Sequence, residues 1–325
     1  MAQYTAYLLH FTAPLHLGNS RDDYGVSLQT LGSDGLYAAL TATLSTMGVA
    51  IPDDGDLGCT VSSLFPFYQK HEDDEPMLFF PRPKSAHLPH WDDLRQAKQI
   101  KRVEWLDQSA FELSISGQDF LSLGIEGMHG KFFTASKQSF DESFMKSSVS
   151  QRVSIADTTR REPPLPFYMD RLLFSGHSGL FFLCARDTTL VDKAMPLLSA
   201  NGIGTDRNVG NGFFIFEKQT ISIPTPSTAE LSVSLSTYIP SSKTELEARM
   251  DTPECAYELT RLGGWTTTAE GTPLRRNPVH GFSAGSVFAN VDGNGAIVDQ
   301  RPSRATHPVY RCGRAIMLPF KPFLQ

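Results

Sequence analysis

Residues 4–12 alternate aromatic or aliphatic side chains with small polar ones, which predicts a first strand. Residues 18–32 are turn-rich. Leu36, Leu40, Leu44 and Met47 then recur at spacings of four and three, the pattern of a helix with one buried face. Ser33 or Asp34 is placed to cap that helix, which should end near Met47. Residues 52–58 hold three aspartates, two glycines and a proline, a loop by composition. SSLFPFYQK and MLFFPRPKS flank a second acidic loop, Glu72 to Glu75. Pro81 and Pro83 suit an edge or an extended lead-out rather than a central strand.

From about 84 to 170 the pattern is least regular. It contains the helix-like DDLRQAKQIKRVEWL and a Ser/Phe/Lys-rich stretch, and ends at Pro163, Pro164 and Pro166. RLLFSGHSGLFFLCA then reads as two strands around a Gly/Ser turn. TTLVDKAMPLLSAN reads as a helix with Thr188 near its cap, Val191, Ala194, Leu197 and Leu198 on its buried face, and a bend at Pro196. GIGTDRNVGNGFF and the strand-like FIFEKQTISI follow. The polar PTPSTAE separates the last hundred residues, which carry short strand-like segments between Gly-rich turns. The element order in 1–218 fits a ferredoxin-like α+β sheet with an insertion at about 84–170, and residues 219–325 fit a second, smaller sheet domain.

A length of 325 residues allows about two domains, each able to bury a core. With 22 phenylalanines and only 20% charged residues, the chain is not a disordered one. The net charge of −6 argues against a nucleic-acid binder, but it is unevenly spread. Residues 51–95 carry nine acids against four bases, 146–161 carry four bases against one acid, and 301–325 carry five bases and no acid. Cys59, Cys184, Cys255 and Cys312 are too far apart for a zinc knuckle and suggest no disulfide scaffold. Cys184, in FFLCA, is expected to pack as a small hydrophobe. Neither a signal peptide nor a membrane span is legible, so the expectation is a cytoplasmic protein.

The densest candidate chemistry is GIGTDRNVGNGFF. Gly202, Gly204, Gly210 and Gly212 permit positive φ and close backbone approach, around Asp206, Arg207, Asn208 and Asn211. No Gly-Lys-Ser/Thr follows, which excludes a Walker loop, and the glycines do not fall as GxGxxG. The loop is either a backbone cradle for phosphates with Arg207 as partner or a helix-to-strand connection capped by Gly202. A nucleotide-dependent metabolic enzyme would rest on this loop alone. His16, in PLHLG with Gly18, is either a general base or a binding residue. His87, His90, Asp92 and Asp93 match no strong metal template and read better as a loop. Met128 and His129 lie in the Gly-rich segment GIEGMHGKFF. Lys101 and Arg102 either meet phosphate or complement a helix C-terminus. Arg275 and Arg276 either touch RNA or a partner, or are simply solvated.

Several motifs occur in order along nearly the whole chain: PLHLG (14–18), SDGLYAAL (33–40), SSLFPF (62–67), FFPRP (79–83), GIGTDRNVGNGFF (202–214), GGWTT (263–267), GSVF (285–288) and HPVYRCGRAIMLP (307–319). Together they resemble the RAMP superfamily of CRISPR–Cas RNA-binding subunits, and within it the subunit-four family of the type III-A (Csm) interference complex. The resemblance implies two ferredoxin-like (RRM-type) domains, no catalytic centre, no metal and no cofactor. It implies a protein that binds the 5′ handle of the CRISPR RNA (crRNA) and bridges the repeated RAMP backbone subunit to a large polymerase/cyclase-palm subunit. The acidic 51–95 region is a candidate surface for that large subunit. The family linker, often an Arg followed by Asp-Arg-x-Thr, reads QRVSIADTTRRE here, with Arg152 and Arg160–Arg161 as equivalents. The implied RNA contacts are His16, Gly18, Lys101, Arg102, Arg152, Arg160, Arg161 and the loop residues Gly202, Gly204, Asp206, Arg207, Asn208, Gly210, Asn211 and Gly212. The alternative is a metal-independent CRISPR-repeat endoribonuclease of the same superfamily that uses His16.

Overall fold

The computed structural model describes residues 2–18, 24–84, 94–135, 139–154, 164–267 and 272–323. The first strand, β1 (Ala2–Phe11), is buried from both sides: Ala6 and Leu8 enter one core, Tyr7 and Leu9 the other. Helix α1 (Ser33–Thr46) covers the second core with Leu36, Tyr37, Leu40 and Leu44. Its cap is not the expected Ser33 or Asp34. Gly32 occupies the cap position without a side-chain bond, because both side chains are committed to the C-terminal part of the chain. Ser33 Oγ accepts from the Thr237 amide at 2.8 Å, and Thr237 Oγ1 donates to Asp34 at 2.8 Å.

Strands β2 (Cys59–Val61), β3 (Phe65–Tyr68) and β4 (Met77–Pro81) follow. β4 lies between β3 and the next strand rather than at an edge. Pro81 is tolerated there because it is the last residue of β4, paired to Trp105 where the ladder ends. The region expected to be least regular supplies α2 (Leu94–Arg102), β5 (Trp105–Asp107), α3 (Gln108–Ile115), β6 (Met128–His129) and β7 (Phe132–Phe133). β5, β6 and β7 extend the main sheet instead of standing apart from it. Asp107 starts α3 by accepting from the Ala110 amide at 2.9 Å. β8 (Met145–Ser154) and β9 (Leu165–Phe174) form an antiparallel hairpin over ten residue pairs.

Next come β10 (Gly179–Arg186), α4 (Thr189–Asn201) and β11 (Phe214–Ile223). RLLFSGHSGLFFLCA does hold two strands, but they do not pair with each other: β9 turns back on β8, and β10 inserts between β1 and β3. Pro196 sits within α4, whose buried face is Val191, Ala194, Met195 and Leu198. Leu197, expected on that face, is only half-buried. The main sheet runs β11-β1-β10-β3-β4-β5-β7-β6, with β2 beside β10. Its pairs are antiparallel except β5 with β7.

The remaining strands are β12 (Leu231–Ser234), β13 (Leu259–Leu262), β14 (Trp265–Thr267), β15 (Pro273–Arg275), β16 (Val279–Phe282), β17 (Val287–Ala289), β18 (Ile297–Asp299), β19 (Tyr310–Cys312) and β20 (Met317–Phe320), with α5 (Lys243–Met250) after β12. β12 lies between β17 and β20, and β14 and β15 form a separate ribbon. Leu231, Val233, Val287, Leu318 and Phe320 enter the same core as Phe65, Phe79, Phe80, Phe111 and Phe181. The C-terminal sheet therefore packs on the main sheet through shared apolar surface, each buried Phe contributing about 2–3 kcal/mol. The outcome is a mixed α+β architecture built on one large mixed sheet. No helix among the described residues is long and apolar enough to cross a membrane.

Candidate nucleic-acid interface

A cleft of about 1400 Å³ opens between the two parts of the chain. The end of β4 and the end of α2 contribute Arg82, Lys84 and Lys101, and the β13–β15 segment contributes Arg261, Arg275 and Arg276. Asp34 and Arg311 also line it, joined by an ion pair at 2.6 Å. Glu258 is paired with Lys84 at 2.9 Å, and Glu104, the third acid, with Lys131 at 3.2 Å. The cleft is therefore cationic, and Trp265 adds a half-exposed indole to it.

Gly18 and Thr205, the latter from the glycine loop, also line the cleft. This loop is fastened to the segment after β1. The Thr205 amide donates to the His16 carbonyl at 2.9 Å, and the Gly212 amide to the Pro14 carbonyl at 2.8 Å. Gly204 serves this close approach, while Gly202 and Gly212 let the two arms of the loop pass each other. A Cβ on Gly212 would stand 1.9 Å from the Ile203 oxygen, one on Gly204 2.5 Å from the His16 oxygen, and one on Gly202 2.9 Å from the Asn211 oxygen. Gly210 has φ +89° with open space around it. Asp206 is left-handed (φ 54°), held by Asn211, whose Nδ2 donates to the Asp206 carbonyl at 3.1 Å. The loop thus exposes Arg207 and Asn208, and among the described residues Arg207 spends only one Nη1–H, on the Gly202 carbonyl at 3.3 Å.

The next residue along, Asp206, lines a second groove of about 580 Å³ with Val209, Arg152, Phe167 and Tyr24. Arg152 and Phe167 face each other across the β8–β9 hairpin, and the Tyr24 and Phe167 rings are 5.2 Å apart. Thr205 and Asp206 are consecutive, so the loop separates the cleft from the groove.

Four of the implied RNA contacts line these depressions, and the others from the glycine loop, Arg207 and Asn208 included, line neither. Gly18 and Lys101 line the cleft, Arg152 and Asp206 the groove. Arg102 is exposed at the end of α2 and lines neither. Arg160 and Arg161 lie outside the described residues, as do His87, His90, Asp92 and Asp93. Met128 and His129 form β6, at the end of the main sheet. His16 is 1% exposed, and its Nδ1–H donates to the Asp170 carbonyl at 2.7 Å. That bond fixes the tautomer and leaves the ring inside the wall of the site, so the imidazole positions the loop after β1 rather than offering a surface.

Among the described residues, no group of three or more His, Cys, Asp or Glu side chains is placed to hold a metal. Cys184 is buried and unbridged. The hydrogen bond it donates to the Cys59 sulfur, and after it burial, push its thiol far up.

The basic C-terminal stretch is mostly consumed internally. Arg301 pairs with Asp299 at 2.7 Å, Arg311 with Asp34, and Arg314 with Asp56 at 2.5 Å. The cationic surplus expected there arises instead from residues scattered in sequence. Arg261, Tyr24, Phe167 and the buried Asp170 escaped sequence reasoning because no local motif marks them, and Arg82, although within FFPRP, carried no sign there of facing a cleft. Asp170 accepts from the Ser27 amide at 3.0 Å and from Ser147 Oγ, which ties the hairpin to the wall that holds His16.

Residues 227–320 match the family described as the CRISPR Csm4 C-terminal domain. The chain is 24% identical to the "CRISPR system Cms protein Csm4" of Streptococcus thermophilus, over 94% of this chain and 95% of that protein. Its fold is similar to a chain of the Csm3–Csm4 subcomplex in the type III-A CRISPR–Cas interference complex, with TM-score 0.61, 16% identity, and coverage of 99% of this chain and 100% of the other. It is likewise similar to a chain of the Csm1–Csm4 cassette in complex with cA4, with TM-score 0.60, 18% identity and 99% coverage of both. Residues 227–320 thus carry a Csm4 C-terminal domain, and along nearly its full length the chain is similar to a Csm4 protein.

Proposed function

We propose that this chain is a non-catalytic, RNA-binding subunit of a type III-A CRISPR interference complex, made of two ferredoxin-like domains divided near residue 218. It holds the crRNA 5′ handle and bridges a large palm-domain subunit, the Csm1 equivalent, to repeated backbone subunits, the Csm3 equivalents, within the cytoplasm. The observation that carries this reading is the cationic cleft, whose surplus of Arg and Lys adjoins the exposed Arg207 of the glycine loop. Single-stranded RNA is held by phosphate contacts to such cations and by stacking on aromatic side chains. The Csm1–Csm4 and Csm3–Csm4 structures that share this fold support the bridging role. The burial of His16 supports a binding rather than a catalytic assignment.

The test is titration of the purified chain with repeat-derived 5′-handle RNA over a salt series in EDTA. Affinity should fall steeply with salt, and Arg207→Gln should lower it about tenfold while removing about one phosphate from the slope. Binding that is flat in salt and indifferent to Arg207→Gln and Lys101→Gln would overturn the reading. Specific cleavage of the RNA, abolished by His16→Ala, would replace it with the endoribonuclease.

A further inference from the structure

The cations of the cleft are not equivalent. Arg311 is committed to Asp34 and Lys84 to Glu258. Arg276 has no such partner. Its backbone amide donates to the Gly264 carbonyl at 3.0 Å, but its side chain makes no hydrogen bond or ion pair among the described residues, and its Nε is shut off from solvent. The acid whose charge reaches it is Asp34, and both oxygens of Asp34 are already taken. Oδ2 holds Arg311 and Oδ1 accepts from Thr237. Burial, and after it the Arg311 charge, pull the Arg276 pKa down to about 10, so the group stays charged at neutral pH while poorly solvated. A half-buried guanidinium without an acceptor is unfavourable by itself and is relieved by an anion.

The residue after Gly264 is Trp265, 46% exposed and lining the same cleft. It sits opposite Arg275 in the β14–β15 register. A Cβ on Gly263 or Gly264 would meet nothing within 4 Å, so the ribbon borders open space here. A charge that lacks a counter-ion and a flat aromatic face, joined through one backbone hydrogen bond, match the two ends of a single nucleotide.

We propose that the β14–β15 ribbon forms a one-nucleotide subsite of the cleft, in which Arg276 takes a phosphate and Trp265 stacks the adjoining base. The subsite rests on the reading of the cleft as an RNA site, and the experiment separates the two. Fluorescence anisotropy of the full chain is followed with a labelled single-stranded RNA of about ten nucleotides, and with an abasic strand of the same length. Arg276→Gln should weaken binding to both strands about tenfold and remove about one phosphate from the salt slope, and Arg276→Lys should restore the slope. Trp265→Ala should weaken binding of the RNA about fivefold or more, leave the slope unchanged, and have no effect on the abasic strand, with Trp265→Phe retaining most of the affinity. Thermal melting without RNA should show all four variants folded, and Trp265→Ala against the RNA and abasic strands carries the test if Arg276→Gln melts early. Native binding and slope in Arg276→Gln and Trp265→Ala would overturn the subsite while leaving the cleft as the RNA site. Failure of the unaltered chain to bind RNA would remove both. Unchanged RNA binding with lost capture of the large subunit would assign the ribbon to a protein contact and also overturn it.

Discussion

Gly212 and Gly210 stand two residues apart in the same loop and have similar positive φ, yet they answer to different constraints. At Gly210 only the backbone angle matters, because the space around it is open. At Gly212 the angle coincides with a carbonyl 1.9 Å from where a side chain would begin. Gly212 also bonds through both of its backbone groups, to Ile203 and to Pro14. Gly210→Ala should therefore cost about 1 kcal/mol, the ordinary left-handed penalty. Gly212→Ala should cost about 3 kcal/mol, since neither neighbouring backbone can yield cheaply. Urea unfolding of the two variants checks the difference. In RNA titrations Gly212→Ala should also behave like Arg207→Gln, because the loop that presents Arg207 would be displaced, while Gly210→Ala should bind normally. The glycine pattern therefore records mainly how closely two backbone segments pass, and the ligand-facing chemistry lies in the few residues this packing leaves exposed.

Between elements, the contact that decides the shape of the cleft is the Asp34–Arg311 pair, which joins the first turn of α1 to β19. Arg311 also donates to Gln300 at 3.1 Å and to the Gly263 carbonyl at 2.8 Å, so one buried guanidinium fastens three segments. Removing either partner strands a buried charge, and Asp34→Asn or Arg311→Gln should each cost about 3–5 kcal/mol. The double variant should cost less than the two singles together, by about 1–3 kcal/mol of coupling, measurable by a double-mutant cycle in urea. Little of this was legible in advance. The periodicity of α1 and the alternation of β1 are local, and they predicted both elements to within a few residues. Pairing is not local. FSGHSG looks like a hairpin turn between β9 and β10, but a strand's apolar pattern does not name its partner, and β10 is drawn between β1 and β3 by its own eight mostly buried residues. The cleft was invisible for the same reason: Arg82, Lys101, Arg261 and Arg276 span nearly two hundred residues, and only the packing of the C-terminal sheet on the main sheet brings them together. What could be read was the glycine loop, because its φ requirements and exposed polar residues lie within one short stretch.

Across the whole molecule, the net charge of −6 hides an internal cancellation. The acidic loop at 52–58 and the basic C-terminal stretch, which look in sequence like two surfaces for two partners, are bound to each other through Asp56 and Arg314. The hydrogen bond from Arg314 holds the Asp56 carboxyl below the usual carboxylate range, with the Gly58 amide assisting. A carboxylate depressed in the folded state contributes stability that is complete above its unfolded pKa of about 3.9, and that contribution is lost as pH falls through the lower folded value. Glu258, held down by Lys84, acts in the same direction. Both pairs are partly exposed, so each contributes no more than about 1 kcal/mol. Asp56→Asn should therefore unfold at slightly lower urea than the native chain at pH 7, and the two curves should converge as the pH drops below the carboxylate range. Molar salt should narrow the gap at pH 7, since a half-exposed pair is screened. A gap that persisted unchanged in acid would mean that the charge of Asp56 is not its source, and an asparagine oxygen can still accept from the Gly58 amide, so that bond would not be the source either. A gap that closes assigns the effect to the ion pair. In that case one acid of the 52–58 loop and one base of the tail offset each other within the fold, and the cationic character of the cleft comes instead from Arg82, Lys101, Arg261, Arg275 and Arg276.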